Sequence, residues 1–268
     1  MDSTETDAYL HRIGAARPAA ADAAALRDLH LRHLKTVPFE NLSIHLGEEI
    51  VLDPGALLDK VVRGGRGGFC YELNGLFAEL LTALGYRVTL LAGRVVGPDG
   101  EFGIPFDHLA LRVETAGAGA PEAWLVDVGF GRNSHHPLKL AERGEQSDPA
   151  GLFRIAETEE GDLDVIKDGA VQYRLEQRRR ELGDFEAGAW WHRTSEKSPF
   201  TRSPLCSLLT GTGRVTISGR TLVTTAAGGR GRQERTLADD ELLPAYREHF
   251  GIVIDRLPGR TEGGPAAG

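Results

Sequence analysis

The sequence predicts an α+β fold of about three modules, helices first, then strands, then a mixture. Three observations predict it. The first third carries apolar residues at helical spacing, the middle switches to a period of two, and the last third mixes both patterns. The chain has 268 residues, ample for one large core or two to three smaller ones.

Each element has a local reason. The stretch "ADAAALRDLHLRHLKTV" is rich in alanine and leucine and stops at Pro38, which cannot continue a helix. "DPGALLDKVV" opens with Asp53 at an N-cap and Pro54 at the first helical position. The strongest helix begins near Cys70: Leu73, Leu76, Phe77, Leu80, Leu81 and Leu84 form one buried stripe, and Gly85 sits where a C′ glycine belongs. From Tyr86 the period is two. "YRVTLLAGRVV", "HLALRVE", "AWLVDVGF", "GLFRIAE" and "VQYRLEQR" read as strands separated by Gly, Pro and Asp turns. "RVTISG" and "RTLVTTA" read as a hairpin about Ser218-Gly219, "LADDELLPAYREHF" as a closing helix, and "PGRTEGGPAAG" as a disordered tail.

Composition narrows the function. A net charge of −8 argues against broad nucleic-acid binding. No apolar run reaches the roughly 18–20 residues needed to span a bilayer, so no membrane partner is expected. "MDSTETDAYL" lacks the basic and apolar regions of a secretory signal. Two cysteines, Cys70 and Cys206, are too few for a disulfide framework or a cysteine zinc site, so a reducing cytoplasm and no metal are expected.

The stretch "RGGRGGFCYELNG" places four glycines in five positions before Cys70. A phosphate loop would need Lys-Ser/Thr after its glycines, and Phe69-Cys70 stands there instead. The glycines are expected to let the backbone approach a substrate closely and to present Cys70 in the first turn of its helix. The partial positive charge there favours thiolate over thiol. On this loop alone, Cys70 reads equally as a small core residue.

A nucleophilic cysteine wants a histidine, and that histidine an orienting partner. Of nine histidines, most lie in helical or polar settings, whereas His108 opens the strand "HLALRV". The next strand carries Asp127, and "TAGAGAP" lies between them. An antiparallel hairpin with His108 opposite Asp127 centres its turn between Gly117 and Ala118. It also pairs Leu109 with Val126 and Leu111 with Trp124 on one apolar face. His108 and Asp127 share the other face, which the neighbouring Asp107 cannot reach because side chains alternate. With Cys70, this register favours a Cys-His-Asp triad.

"PFEN" (38–41), "RGGFCYELN" (66–74), "DHLAL" (107–111) and "VDVGFG" (126–131) together resemble the arylamine N-acetyltransferases in order and approximate spacing. The resemblance implies a helical bundle over 1–85 carrying the cysteine, an antiparallel β-barrel over 86–188 carrying His108 and Asp127, and an α/β lid over 189–268, around a triad core like that of cysteine proteases. It implies that acetyl-CoA, as co-substrate, acetylates Cys70, and that the acetyl group passes by ping-pong chemistry to an arylamine, hydrazine or hydroxylamine. It places Gly129, Phe130, Gly131 and Phe200 near the meeting point of donor and acceptor. Phe69 and Phe130 are candidate walls for an aryl ring, with plain core packing the competing reading of Phe69. Glu40 and Arg66 are expected to pair and brace the loop. Small molecules are the expected partners of a monomer or homodimer. Two other readings use the same residues: an amide synthase that releases a polyketide from a carrier protein onto an aromatic amine, and a papain-like thiol hydrolase or transglutaminase.

The remaining motifs read as structural. Cys206 lies in an apolar strand-like run, His135-His136 in a solvent-facing loop without a third ligand, and "GGRGR" (228–232) in a turn. Trp190-Trp191 are expected to pack the lid on the barrel.

Overall fold

A computed structural model describes residues 1–115, 122–227 and 231–259. The N-terminal part holds α1 (Ser3–Arg12), α2 (Ala23–Thr36), strand β1 (Phe39–Glu40), α3 (Leu42–Leu46), α4 (Pro54–Leu58) with a π-helical extension over Asp59–Arg63, and α5 (Cys70–Ala83). Asp53 caps α4 by accepting from the Gly55 and Ala56 amides, as its position before Pro54 predicts. The sequence reading passed over α1, whose signal is a capping box rather than a stripe: Asp2 and Glu5 exchange side chain–backbone hydrogen bonds. Helix α5 departs from the single buried face expected of it. Glu72, Asn74, Gly75 and Ala78 are buried along with the leucines, because the helix packs against α1 and α4 and also against the β-sheet.

The central part is an eight-stranded antiparallel sheet, β2 (Arg87–Val95), β3 (His108–Thr115), β4 (Glu122–Val126), β5 (Leu138–Lys139), β6 (Gln146–Asp148), β7 (Gly151–Glu157), β8 (Leu163–Lys167) and β9 (Ala170–Arg180). Its order, β5-β4-β3-β2-β9-β8-β7-β6, rolls into a nearly closed barrel. Leu91, Ala110, Leu125, Phe153, Ile155, Val165, Tyr173 and Leu175 fill the interior. The outer face of β3, with Leu109, Leu111 and Val113, joins the core around α5. Both faces of β3 are therefore buried, and α5 is set against the strand that begins with His108.

The C-terminal part comprises α6 (Glu186–Thr194), β10 (Leu205–Leu209), β11 (Gly213–Ser218), β12 (Thr221–Ala226), β13 (Arg232–Thr236) and α7 (Asp239–Phe250). Its sheet, β1-β10-β11-β12-β13, takes its first strand from the N-terminal part. The hairpin forms where expected, with Ser218 paired to Thr221 and Gly219 at φ 57°. Cys206, Val215 and Ile217 pack under Leu242, Tyr246 and Phe250 of α7, so Cys206 is a core residue.

The β3–β4 register differs from the sequence expectation. Leu111 pairs with Val126 and Val113 with Trp124, a slip of two residues. An even slip keeps every side chain on its own face, so the slip costs no burial. The expected turn centre and most of "GGRGR" and of the tail lie outside the described residues. Strand β4 also ends at Val126 instead of running to Phe130. Beyond it the chain turns toward α5, where the Val128 amide donates to Asn74 Oδ1 over 2.9 Å.

Candidate active site

The glycine-rich loop places Cys70 through close approach to the protein's own backbone. A Cβ on Gly67 would lie 1.9 Å from the Pro38 carbonyl oxygen, and the Glu40 amide donates to Gly68 O over 2.8 Å. Arg66 clamps the loop: Nε meets Glu40 Oε1 at 3.0 Å, and Nη1 meets Glu48 Oε2 at 3.2 Å. Burial alone would raise the Glu40 pKa, but Lys60 and Arg66 outweigh it and hold the carboxyl below its ordinary value. Glu72 then caps α5 by accepting from the Phe69 amide over 3.1 Å, while Lys60 Nζ pairs with its other oxygen at 2.6 Å.

Cys70 thus starts α5 at the wall of a cavity of about 540 Å³ that His108 also lines. His108 Nε2–H donates to Asp127 Oδ2 over 2.8 Å, and Cys70 is near enough to the ring to bear on its titration. Three side chains from α5, β3 and the turn after β4 form one line. Each is buried, with exposures of 3%, 2% and 1%.

The two-residue slip bears on this contact. Extended by one position, the observed register sets Asp127 across from Ala110, one same-face step from His108. The pair is diagonal, a separation that a long side chain spans. Gly93, opposite His108 on β2, has no side chain to crowd the ring.

The electrostatics follow from burial and partners. Burial would lower the His108 pKa, but the Asp127 charge and hydrogen bond, joined by Cys70, push it up to about 10. Asp127 responds in the opposite sense: burial would raise its pKa, and His108 with the Asn74 and Gly129 donors pulls it below the ordinary value. Its Oδ1 accepts from Asn74 Nδ2 at 2.9 Å and from the Gly129 amide at 3.0 Å. Its Oδ2 accepts from Asn133 Nδ2 at 3.0 Å in addition to His108. An ionised carboxylate with four donors suits an imidazolium at neutral pH.

Gly129, Phe130, Gly131 and Phe200 line the same cavity. A Cβ on Gly129 would stand 2.7 Å from both Cys70 Cα and Asn74 Nδ2, so only glycine lets the turn lie against the start of α5. Phe130 packs edge-on to His108 with ring centroids 5.2 Å apart. Phe69 is placed otherwise. Its side chain is fully buried against Tyr71, His192 and Phe200, since an N-cap residue at a packed helix start turns into the core.

Several cavity features escaped the sequence reading. Phe39 lies against Phe200 at 6.0 Å between centroids. Asp107, expected to face away from His108, lines the same cavity and meets His192 Nε2 at 3.0 Å. Asn74 and Asn133 brace Asp127, and a buried asparagine one turn after the cysteine was a signal available in "CYELNG". Arg132, Arg214 and Arg232 line the cavity as well.

Other expectations also changed. Trp190 is 61% exposed rather than packed on the barrel, because α6 turns Ala189 and His192 inward instead. His135 and His136 are half-buried rather than solvent-facing, and their amides donate to Asp148. Among the described residues, no group of three or more His, Cys, Asp or Glu is arranged to hold a metal ion, and no helix is long and apolar enough to cross a membrane.

Comparison with known proteins places this geometry in context. The family model described as N-acetyltransferase matches residues 22–258. The arylamine N-acetyltransferase of Escherichia coli strain K12 is 34% identical over 255 residues, covering 92% of this chain and 88% of that protein. Among solved structures, the arylamine N-acetyltransferase of Nocardia farcinica has 36% identity and a TM-score of 0.82, covering 93% of this chain and 90% of that one. The Mycobacterium marinum arylamine N-acetyltransferase in complex with CoA has 31% identity and a TM-score of 0.83, covering 92% of each chain.

Proposed function

The chain belongs to the arylamine N-acetyltransferase family, and from that premise we propose that it carries an acetyl group from acetyl-CoA to an arylamine, hydrazine or hydroxylamine through Cys70. The observation that supports this reading is the buried His108–Asp127 hydrogen bond beside Cys70 at one cavity.

The steps follow from the partners of each group. Asp127 holds His108 as an imidazolium, which pairs with the Cys70 thiolate. The thiolate attacks the thioester carbonyl, and the collapsing tetrahedral intermediate breaks the carbon–sulfur bond to CoA. CoA leaves as a thiol with the proton from His108. Backbone N–H groups at the start of α5 are the candidate donors to the oxyanion. The amine then attacks acetyl-Cys70, His108 takes the amine proton, and the amide departs as the Cys70 thiolate reforms. Arylamines suit the second step because their nitrogen is largely unprotonated at neutral pH. The rings of Phe39, Phe130 and Phe200 offer apolar walls for the aryl group.

Intact mass spectrometry after incubation with acetyl-CoA alone tests this. One acetyl adduct is expected on the wild type and none on Cys70→Ser. Hydrolysis of acetyl-CoA without a persisting adduct would favour the thiol-hydrolase reading. A panel of arylamines with acetyl-CoA, longer acyl-CoAs and carrier-bound acyl chains would separate the transferase from an amide synthase.

A further inference from the structure

Asp107 and His192 line the cavity that holds Cys70 and His108, yet the acetyl-transfer steps above use neither. They come from different parts of the chain. Asp107 immediately precedes the histidine that opens β3, and His192 lies on α6. Asp107 is held from two sides: its Oδ2 accepts from the Val95 amide over 3.1 Å, and its Oδ1 meets His192 Nε2 at 3.0 Å. The backbone around it is shaped to admit this carboxylate. A Cβ on Gly103 would lie 2.2 Å from Asp107 Oδ2. Phe106 takes a φ of 60°, which costs a bulky residue energy and persists only where its surroundings impose it. The Tyr71 hydroxyl donates to the Phe106 carbonyl over 2.7 Å and supplies part of that restraint.

The contacts continue beyond His192. Its Nδ1 stands 3.1 Å from Ser198 Oγ, and Ser198 Oγ accepts from the Phe200 amide over 3.2 Å. A carboxylate only accepts, so in a neutral ring Nε2 carries the hydrogen and Nδ1 accepts from the Ser198 hydroxyl. Every hydrogen bond then points the same way, from the Phe200 amide through Ser198 and His192 to Asp107. His192 and Ser198 are buried, and the His192 ring also packs against the Phe200 ring with centroids 4.9 Å apart. The Phe200 carbonyl is fixed separately, by Asn41 Nδ2 and His45 Nε2 at 2.9 Å each. Those two bonds tie Phe200 to the N-terminal part, whereas the chain through Ser198 ties it to the strand start that carries His108.

We propose that Asp107, His192 and Ser198 form a positioning relay that sets the Phe200 ring, a wall for the aryl group of the acceptor, relative to His108. The inference rests on the acetyl-transfer reading above and adds how the cavity favours a ring. An acceptor with an aryl group gains from a well-placed wall, and an acceptor without one does not. The relay acts through Phe200 and not on the reacting atoms.

The test compares wild type with Ser198→Ala, Asp107→Asn and the double variant, in kcat/KM for aniline relative to hydrazine, an acceptor without a ring. A general loss of folded protein or of Cys70 chemistry cancels in that ratio. Ser198→Ala should lower it about fivefold, the worth of one hydrogen bond. Asp107→Asn should lower it as well, since an amide offers one acceptor oxygen where the carboxylate offers two. Because both act through one chain, the double variant should fall no further than Ser198→Ala. An unmoved ratio in Ser198→Ala would overturn the relay, and so would falls in the single variants that multiply in the double.

Crystal structures give a readout that needs no turnover. In Ser198→Ala the Phe200 ring should stand displaced from its place against His192, and an undisplaced ring would overturn the relay whatever the kinetics show. Should the wild type move acetyl to neither acceptor, the transferase reading fails, while the position of the ring still decides the relay.

Discussion

Asn74 Nδ2 donates to Asp127 Oδ1 over 2.9 Å, tying the helix that begins with Cys70 to the carboxylate that holds His108. The same amide donates to the Leu109 carbonyl and accepts from the Val128 amide. One side chain, a turn beyond the cysteine, therefore joins all three elements of the site.

Asn74→Ala should lower both stability and chemistry. Each buried polar partner left unpaired costs about 1–3 kcal/mol. Chemical denaturation should show the stability loss. Single-turnover acetylation per folded molecule should fall at least about tenfold, because the Asp127–His108 geometry loosens. An unchanged acetylation rate would mean that Asn74 only packs.

Gly129→Ala should be far more damaging than Gly75→Ala. The first places a methyl 2.7 Å from Cys70 Cα, which is backbone and cannot yield. The second meets the end of the Leu182 side chain at 2.9 Å, which can rotate away. Acetylation rates and Tm for the two variants check this, and similar losses in both would contradict it.

Arg66→Ala should lower stability more than chemistry per folded molecule. It leaves the Glu40 carboxylate, fully buried, without its guanidinium partner. Breaking a buried pair typically costs about 3–5 kcal/mol. Thermal unfolding at the same midpoint as wild type would refute the bracing role.

The pH dependence has a definite sign at His108. Its folded pKa, about 10, lies above the ordinary 6.5, so its contribution to stability is fully present below 6.5 and lost as pH rises through about 10. The ion pair should vanish over the same window, giving acetylation an alkaline limb. Asp127→Asn removes the main cause of the shift and should move that limb toward neutrality. A limb at the same pH in both proteins would separate it from His108.

At acid pH the opposite sign applies to α2. Burial lowers the His30 pKa to about 4 and the His33 pKa well below its ordinary value. Both rings stay neutral when folded and charge on unfolding, so stability should fall as pH drops below 6.5. His33→Leu should flatten this slope in a series of denaturation curves, since it removes one of the two groups.

The difference between expectation and structure is instructive at particular residues. His108 and Asp127 were readable as partners although their predicted register was two positions off. Face depends on parity, and an even slip preserves it. The two-residue strands β1 and β5 carry no measurable period, and β13 is polar throughout, so patterning had nothing to detect. Phe69 was ambiguous because an aromatic beside a nucleophile serves equally as a wall or as core.

Backbone geometry makes local spacing informative, so the chain alone determined α2, α4, α5 and α7, most of its long strands, the place of Cys70 in the first turn of α5, and a shared face for His108 and Asp127. Tertiary packing decided the rest: the diagonal reach of His108 to Asp127, the Asn74 brace, the Asp107–His192 pair, and the meeting of Arg132 with Arg214. The physical reason is distance along the chain. Periodicity records which way a side chain faces, but residues dozens of positions apart become neighbours only when whole elements dock, and that outcome depends on all the packed surfaces together.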